Sequence, residues 1–312
     1  MQPYQHNPHR KKILFLADQP GWAYDTCAHA LRAVLADEFE CSTVYLRDRP
    51  DLNSVPFDLL YVCFWGESYH QQFSIPANRI IKQIASHRWA LEERWGKLAP
   101  SEMVQKYLWD AGTAVAVSQR LVEQLSPYRD IFLTPVGIDP SFYYLPELPR
   151  SGSQRLVFGW AGNAGDSCKG LHDILLPACG SDFTLRVADG SIAPQDMRSF
   201  YHSIDVLIVS SSAEGNPLPL LEAMACGCFV ISTDVGIVPE VVRHRENGLI
   251  IDRRIACFRA ALEWCELNAS FVRNAGPTSA AEIASERSWA SVARFSREAF
   301  RLAYAKEHMR SL

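Results

Sequence analysis

The stretch Ser210-Ser211-Ser212-Ala213-Glu214-Gly215-Asn216-Pro217-Leu218-Pro219-Leu220-Leu221-Glu222-Ala223-Met224-Ala225-Cys226-Gly227 joins an apolar run, Val206–Ser210, to a helical pattern over Pro217–Ala225. Glu214 falls in the turn beside Gly215, a residue that lets backbone approach a ligand closely. Asn216 suits the N-cap and Pro217 the first helical position. The unbonded N–H groups from Gly215 to Leu218 would form an anion site, reinforced by roughly half a positive charge from the helix dipole. Glu222, about two turns further on, would face the same mouth, where a carboxylate can accept from both hydroxyls of a ribose. Amides for phosphate and a carboxylate for ribose describe a nucleotide site. The same residues also fit a plainer reading, in which Glu214 only offsets the helix dipole and Glu222 is solvated.

Outward from this junction, strands and helices alternate. Ile13–Ala17, Thr43–Leu46, Leu59–Phe64, Ile80–Ala85, Ala114–Val117 and Ile131–Pro135 read as strands, with helices over Ser101–Trp109 and Gln119–Leu125 and one capped by Asp25 or Thr26. A linker-like composition follows from Asp139-Pro140 through Pro146, Pro149, Ser151, Gly152 and Ser153. The alternation then restarts. Leu156–Ala161, Phe183–Val187, Val206–Ser210, Phe229–Ser232 and Leu249–Ile251 read as strands, and Gly170–Cys179, Gln195–His202, Pro217–Ala225 and Val238–Arg243 as helices. Trp289–Met309 reads as one long final helix. Continuous apolar runs imply strands covered on both faces, hence parallel sheets. Ligands of such sheets bind at the carboxyl ends of the strands, so with two domains the expected site is the cleft between them.

The 312 residues suffice for two domains, and 48 % hydrophobic with 21 % charged residues is ordinary for a globular protein. The net charge of −4 is spread evenly, and no basic face for nucleic acid emerges. No apolar run is long enough for a membrane helix, and Met1–Lys12 carries no apolar signal core, so a cytoplasmic location is expected. The cysteine count, nine, is odd, and no Cys-x-x-Cys occurs; buried, reduced thiols are expected rather than a zinc site. A nicotinamide dehydrogenase is disfavoured, because no Gly-x-Gly-x-x-Gly follows the first strand.

Glu214 and Glu222 stand at Glu-x7-Glu, followed by Ala-Met-Ala-Cys-Gly. With Val230-Ile231-Ser232-Thr233, Gly236, Pro239-Glu240-Val241-Val242 and Glu246-Asn247-Gly248-Leu249, this run resembles the donor domain of retaining GT-B glycosyltransferases of the group 1, or family-4, type. The resemblance covers most of residues 155–290. It is weaker over residues 13–139, carried by Val117-Ser118-Gln119-Arg120-Leu121 and Thr134-Pro135-Val136-Gly137-Ile138-Asp139. It implies an α/β GT-B architecture of two Rossmann-like domains facing across a cleft. Residues 1–144 would be a short acceptor-side domain, 145–288 the nucleotide-sugar donor domain, and 289–312 a helix crossing back to the first domain.

The resemblance also implies roles. Family members carry an Arg and a Lys for the diphosphate after the first strand of the donor domain. Here Lys169 matches the Lys, but Asn163 stands at the Arg position and cannot form a bidentate ion pair. Ile192, in Asp189-Gly190-Ser191-Ile192, falls where the family meets the nucleobase; read alone, it is equally a core contact. Gly21 follows the first strand, near where the family places a glycine-rich loop. His87 follows the strand at Ile80–Ala85, where members often have a His beside the reacting sugar. Glu214, Lys169 and His87 are thus the expected catalytic groups. Gly21, Asn163, Ile192, Gly215, Asn216, Pro217, Leu218 and Glu222 are the expected donor-binding ones.

The implied reaction moves a sugar from a nucleoside-diphosphate sugar to an acceptor, with retention. No Asp-x-Asp occurs, so neither a metal nor any cofactor beyond the donor is expected. The acceptor, whether glycan, lipid-linked or protein, is not legible. Trp89, Trp95 and Trp109 with Arg88, Arg94, Lys97 and Lys106 suggest peripheral membrane or sugar contact; interleaved Glu92, Glu93, Glu102 and Asp110 favour a partly buried helical hairpin instead. Two other readings stay open: a GT-B sugar-nucleotide epimerase, with Glu67 as its one suggestive extra carboxylate, and a sugar-nucleotide-binding scaffold with weak turnover.

Overall fold

The computed structural model describes residues 10–147 and 155–308. Pro149, Ser151, Gly152 and Ser153 of the linker-like stretch, and Met309, lie outside them. The first half runs β1 (Lys11–Ala17), α1 (Ala23–Val34), β2 (Phe39–Tyr45), β3 (Leu59–Val62), β4 (Ile80–Ile84), α2 (Pro100–Tyr107), β5 (Thr113–Ala116), α3 (Gln119–Leu125) and β6 (Ile131–Leu133). The second runs β7 (Val157–Ala161), α4 (Leu176–Cys179), β8 (Thr184–Ala188), α5 (Met197–His202), β9 (Val206–Val209), α6 (Leu218–Ala225), β10 (Phe229–Thr233), α7 (Val238–Val241), β11 (Gly248–Ile251), α8 (Ile255–Leu267), α9 (Ala269–Glu286) and α10 (Trp289–His308).

Two separate sheets result, ordered β2-β1-β3-β4-β5-β6 and β11-β10-β9-β7-β8. Every strand pair is parallel. The central strands β3, β5 and β9 are buried along their whole length, as helices on both faces require. Chain order reverses beside β1 in the first sheet and beside β7 in the second. Ligand crevices of parallel sheets form at such switch points.

The final helix crosses back. Val292, Ala293, Ala299, Phe300, Ala303 and Tyr304 of α10 are buried in the core of the first sheet. The Phe300 ring packs edge-on against Phe39 at 5.6 Å and Tyr61 at 5.7 Å, a burial that contributes about 1.5–3 kcal/mol. Arg301 makes two 2.7 Å bonds to Glu38, fixing the helix beside the end of α1. The two passages between domains run together: Ile138 bonds Arg287 and Trp289 through its N–H and carbonyl, at 2.8 and 3.0 Å. A Cβ on Gly137 would lie 2.7 Å from the Trp289 nitrogen, so only glycine fits this crossing.

Several expectations need correction. The N-cap of α1 is Trp22, not Asp25 or Thr26; Asp25 instead accepts from the Gly21 N–H at 2.7 Å. The tryptophan segment is no helical hairpin. Arg88–Ala90 and Glu93–Trp95 are single 3-10 turns, followed by α2. Trp89 is buried and Trp95 packs on Trp65 at 4.9 Å, so only Trp109, 66 % exposed, remains as a surface aromatic. α8 and α9 were not expected. α9 runs through Gly276 and Pro277, and a Cβ at Gly276 would sit 2.1 Å from the Gly227 carbonyl oxygen. Close packing of α9 on that turn overrides local propensity. All nine cysteines lie among the described residues and none is in a disulfide. Among the described residues, no helix is long and apolar enough to cross a membrane.

Candidate active site

β9 ends at Val209, and the turn from Ser210 to Pro217 delivers the chain to α6. The turn is stitched to the loop after β7. Ser210 Oγ donates to the Lys169 carbonyl at 2.7 Å, Ser212 N–H to the Cys168 carbonyl at 2.8 Å, and Thr233 Oγ1 to the Ser211 carbonyl at 2.6 Å. Gly170, at φ +72°, packs so tightly that a Cβ would lie 2.4 Å from the Ser210 carbonyl oxygen. These contacts set the Lys169 side chain against Glu214. Lys169 Nζ lies 2.5 Å from Glu214 Oε1, and Ser211 Oγ donates to the same oxygen at 2.7 Å. The carboxylate is buried, 9 % exposed, and its pairing with an ammonium and a hydroxyl is what lets a charge rest there.

The first domain closes over this turn. A Cβ on Gly215 would be 2.2 Å from the Ala85 carbonyl oxygen, so the absence of a side chain allows the end of β4 to touch the turn. Leu218 packs on the core of the first domain. His87, two residues past Ala85, comes beside Glu214. Burial lowers its imidazole pKa from the usual histidine value; Arg120 of the same domain lowers it further, while the Glu214 backbone and carboxylate across the cleft oppose the shift. Its Nδ1 is sheltered and has no hydrogen-bond partner. His87 thus brings a sheltered imidazole, with one nitrogen unpaired, beside Glu214 from the opposite domain.

Arg88, the next residue, reaches across to the Asp166 carboxylate in the Lys169 loop and lies 3.2 Å from Glu92 on its own side. Further bonds join the domains at Arg120, to the Asp234 carbonyl at 2.8 Å and carboxylate at 2.6 Å, and between Gln119 N–H and Glu240 at 2.9 Å.

Glu222, inside α6, accepts from the Tyr201 hydroxyl at 2.6 Å. Burial raises its pKa above the usual value, against the opposing effect of the Tyr201 and Tyr143 hydroxyls. Cys27 of α1, on the opposite domain, lies within its field. Glu222 therefore lies toward the cleft side of α6.

The other expected residues divide. Gly215 and Pro217 are buried at the domain contact. Asn216 is not the N-cap: Pro217 holds that place and α6 starts at Leu218, because proline fixes its own φ and ends the turn. Both amide atoms of Asn216 are sheltered and unpartnered. Asn163 is exposed and accepts from Gly165 N–H at 3.0 Å, closing a local turn. Gly21, at φ +78°, is exposed, and its N–H is already used by Asp25. Ile192 stands apart, packed on the second core beside edge strand β8 and lining an open groove with Arg186, Asp196 and Ser199. Glu67 accepts from the N–H groups of Ser68 and Tyr69, at 2.7 and 2.5 Å, and so shapes a turn. Tyr201, Ser211, Arg88 and Asp166 were not expected at the site. Only Arg88 had a signal, its adjacency to His87.

Two parallel α/β domains with a closing helix and a carboxylate–lysine pair in the cleft define a GT-B protein. Over residues 189–277 the chain matches the family model for glycosyl transferases group 1. A D-inositol 3-phosphate glycosyltransferase of Rhodococcus erythropolis is 36 % identical over 95 residues, 30 % of this chain and 20 % of that protein. An N-acetyl-alpha-D-glucosaminyl L-malate synthase of Bacillus anthracis is 44 % identical over 48 residues, 15 % of this chain and 13 % of that protein. These matches thus span a fifth or less of the relatives' length. In fold, the chain resembles a sucrose-phosphate synthase from Thermosynechococcus elongatus, with a TM-score of 0.71 at 16 % identity, covering 95 % of this chain and 100 % of that one. It also resembles Anabaena HepE, solved with UDP-glucose, with a TM-score of 0.65 at 15 % identity, covering 93 % and 99 %. The chain thus shares the GT-B fold, and within it residues 189–277 match the group 1 glycosyl transferases.

Proposed function

We propose that the protein transfers a sugar from a nucleoside-diphosphate sugar to an acceptor hydroxyl, with retention of anomeric configuration and without a metal. The observation that carries this reading is the Lys169–Glu214 pair at the start of α6, with His87 beside Glu214 from the other domain. Glu214 orients hydroxyls of the donor sugar. Lys169 and the amides at the start of α6 stabilise the leaving diphosphate, where negative charge grows as the glycosidic bond breaks. Glu222 receives the ribose hydroxyls. His87, neutral and with Nδ1 unused, holds a sugar hydroxyl beside the reacting carbon. Front-face attack suits this layout, since the leaving phosphate oxygen can take the acceptor's proton. The absence of Asp-x-Asp supports metal independence.

The epimerase reading loses its one suggestive carboxylate, because Glu67 is engaged with the backbone of its own turn. The test is release of nucleoside diphosphate from a panel of sugar nucleotides, with and without EDTA. Turnover indifferent to EDTA, with the anomeric configuration kept in the product, supports the proposal. Turnover abolished by EDTA, or an inverted product, overturns it.

A further inference from the structure

In the loop after β7, Asp166 receives a cation from the other domain. Asp166 Oδ1 accepts from Cys168 N–H at 3.1 Å, and its other oxygen takes the Arg88 guanidinium. Burial alone would push this carboxyl up, but Arg88, the Cys168 amide and the field of Lys169 outweigh it and hold it below the usual range. Arg88 of the first domain thus pairs with a carboxylate in the same loop as Lys169, whose own ammonium pairs with Glu214. Position 163, three residues earlier, has an exposed amide engaged in a local turn and brings no charge. The Arg88 side chain is only 16 % exposed, and its two carboxylate contacts engage one guanidinium nitrogen each, of a group with five N–H donors.

We propose that Arg88 is the second cation for the donor diphosphate, reaching across the cleft to the loop that holds Asp166 and replacing the charge that Asn163 lacks. This rests on the sugar-nucleotide reading above. It makes diphosphate binding depend on contact between the two domains, because one cation sits on each. Asp166 then competes with the diphosphate for the same guanidinium.

The test measures binding of UDP, GDP, ADP, CDP and dTDP, and of the matching nucleosides, by calorimetry. For the diphosphate that wild type binds, Arg88→Gln should weaken affinity at least tenfold, as expected for loss of a charge-assisted bond. The matching nucleoside should change less than twofold. Adding Asn163→Arg to Arg88→Gln should recover most of the lost affinity, and Asp166→Asn alone should tighten diphosphate binding. Unchanged diphosphate affinity in Arg88→Gln overturns the inference alone, as does an equal loss for nucleoside and diphosphate. If Arg88→Gln does not fold, unchanged or weaker diphosphate binding by Asp166→Asn overturns it. Failure of wild type to bind any of the diphosphates overturns the sugar-nucleotide reading, and the inference with it.

Discussion

Removing the Lys169 ammonium should destabilise the protein through Glu214, and the size of the effect follows from the geometry. The two charges are 2.5 Å apart. At an effective dielectric constant of about 20, their attraction is about 6–7 kcal/mol. Desolvation of several kcal/mol per ion cancels much of this, so the intact pair contributes little net stability. Truncating one partner is different, because it leaves the other charge buried, at about 3–5 kcal/mol for a fully buried pair. The lysine side chain is 25 % exposed, so water can partly replace it and the lower end applies, about 2–3 kcal/mol. Lys169→Met should therefore lower stability by about that amount. The double variant Lys169→Met/Glu214→Gln should be more stable than the sum of the single losses by about 1–3 kcal/mol. Urea unfolding at pH 7 provides the measurement, with tryptophan fluorescence and circular dichroism followed together, because two domains need not unfold in one step. A coupling below about 0.5 kcal/mol would mean that the pair does not hold Glu214 in place.

Glu222→Gln should weaken nucleoside diphosphate binding about ten- to hundredfold, whereas Glu214→Gln should harm turnover and spare that binding; equal effects in titration calorimetry would contradict the division of roles. Because burial raises the Glu222 pKa, the charged carboxylate is lost at a higher pH than for an ordinary glutamate. Diphosphate affinity in wild type should then fall as pH drops through that raised value, and in Glu222→Gln this component of the pH profile should be missing. Gly215→Ala places a methyl group 2.2 Å from the Ala85 carbonyl oxygen, which should cost about 1–3 kcal/mol or force the domains apart. A melting curve and diphosphate affinity both unchanged from wild type would show that this domain contact is not maintained in solution.

The strands were legible because parallel strands covered on both faces leave continuous apolar runs. β2 shows the limit of that signal: it starts at Phe39, four residues before its expected start, because an edge strand alternates, with Phe39 and Cys41 buried and Glu40 and Ser42 exposed. α9 runs through Gly276 and Pro277, two poor helix formers, and Gly276 is required by its close packing on the turn at Gly227. At the site, Glu214, Lys169 and Glu222 were legible from motif and spacing. The Asn216 cap was misread, since Pro217 is itself the residue that precedes the helix. Arg88 and Asp166 are 78 residues apart, on opposite domains, and no local pattern links them. Their pairing exists only where the two domains meet.

The central claim is that the cleft is a sugar-nucleotide site built on Lys169, Glu214 and Glu222. Thermal unfolding of wild type, Lys169→Ala and Glu222→Gln with UDP-, GDP-, ADP-, CDP- and dTDP-sugars tests it most directly. At least one sugar nucleotide should raise the wild-type melting temperature, with stabilisation of about 2.7 kcal/mol at a hundredfold excess over Kd. That stabilisation should be largely lost in both variants. No shift with any sugar nucleotide, or an equal shift in all three proteins, would contradict it.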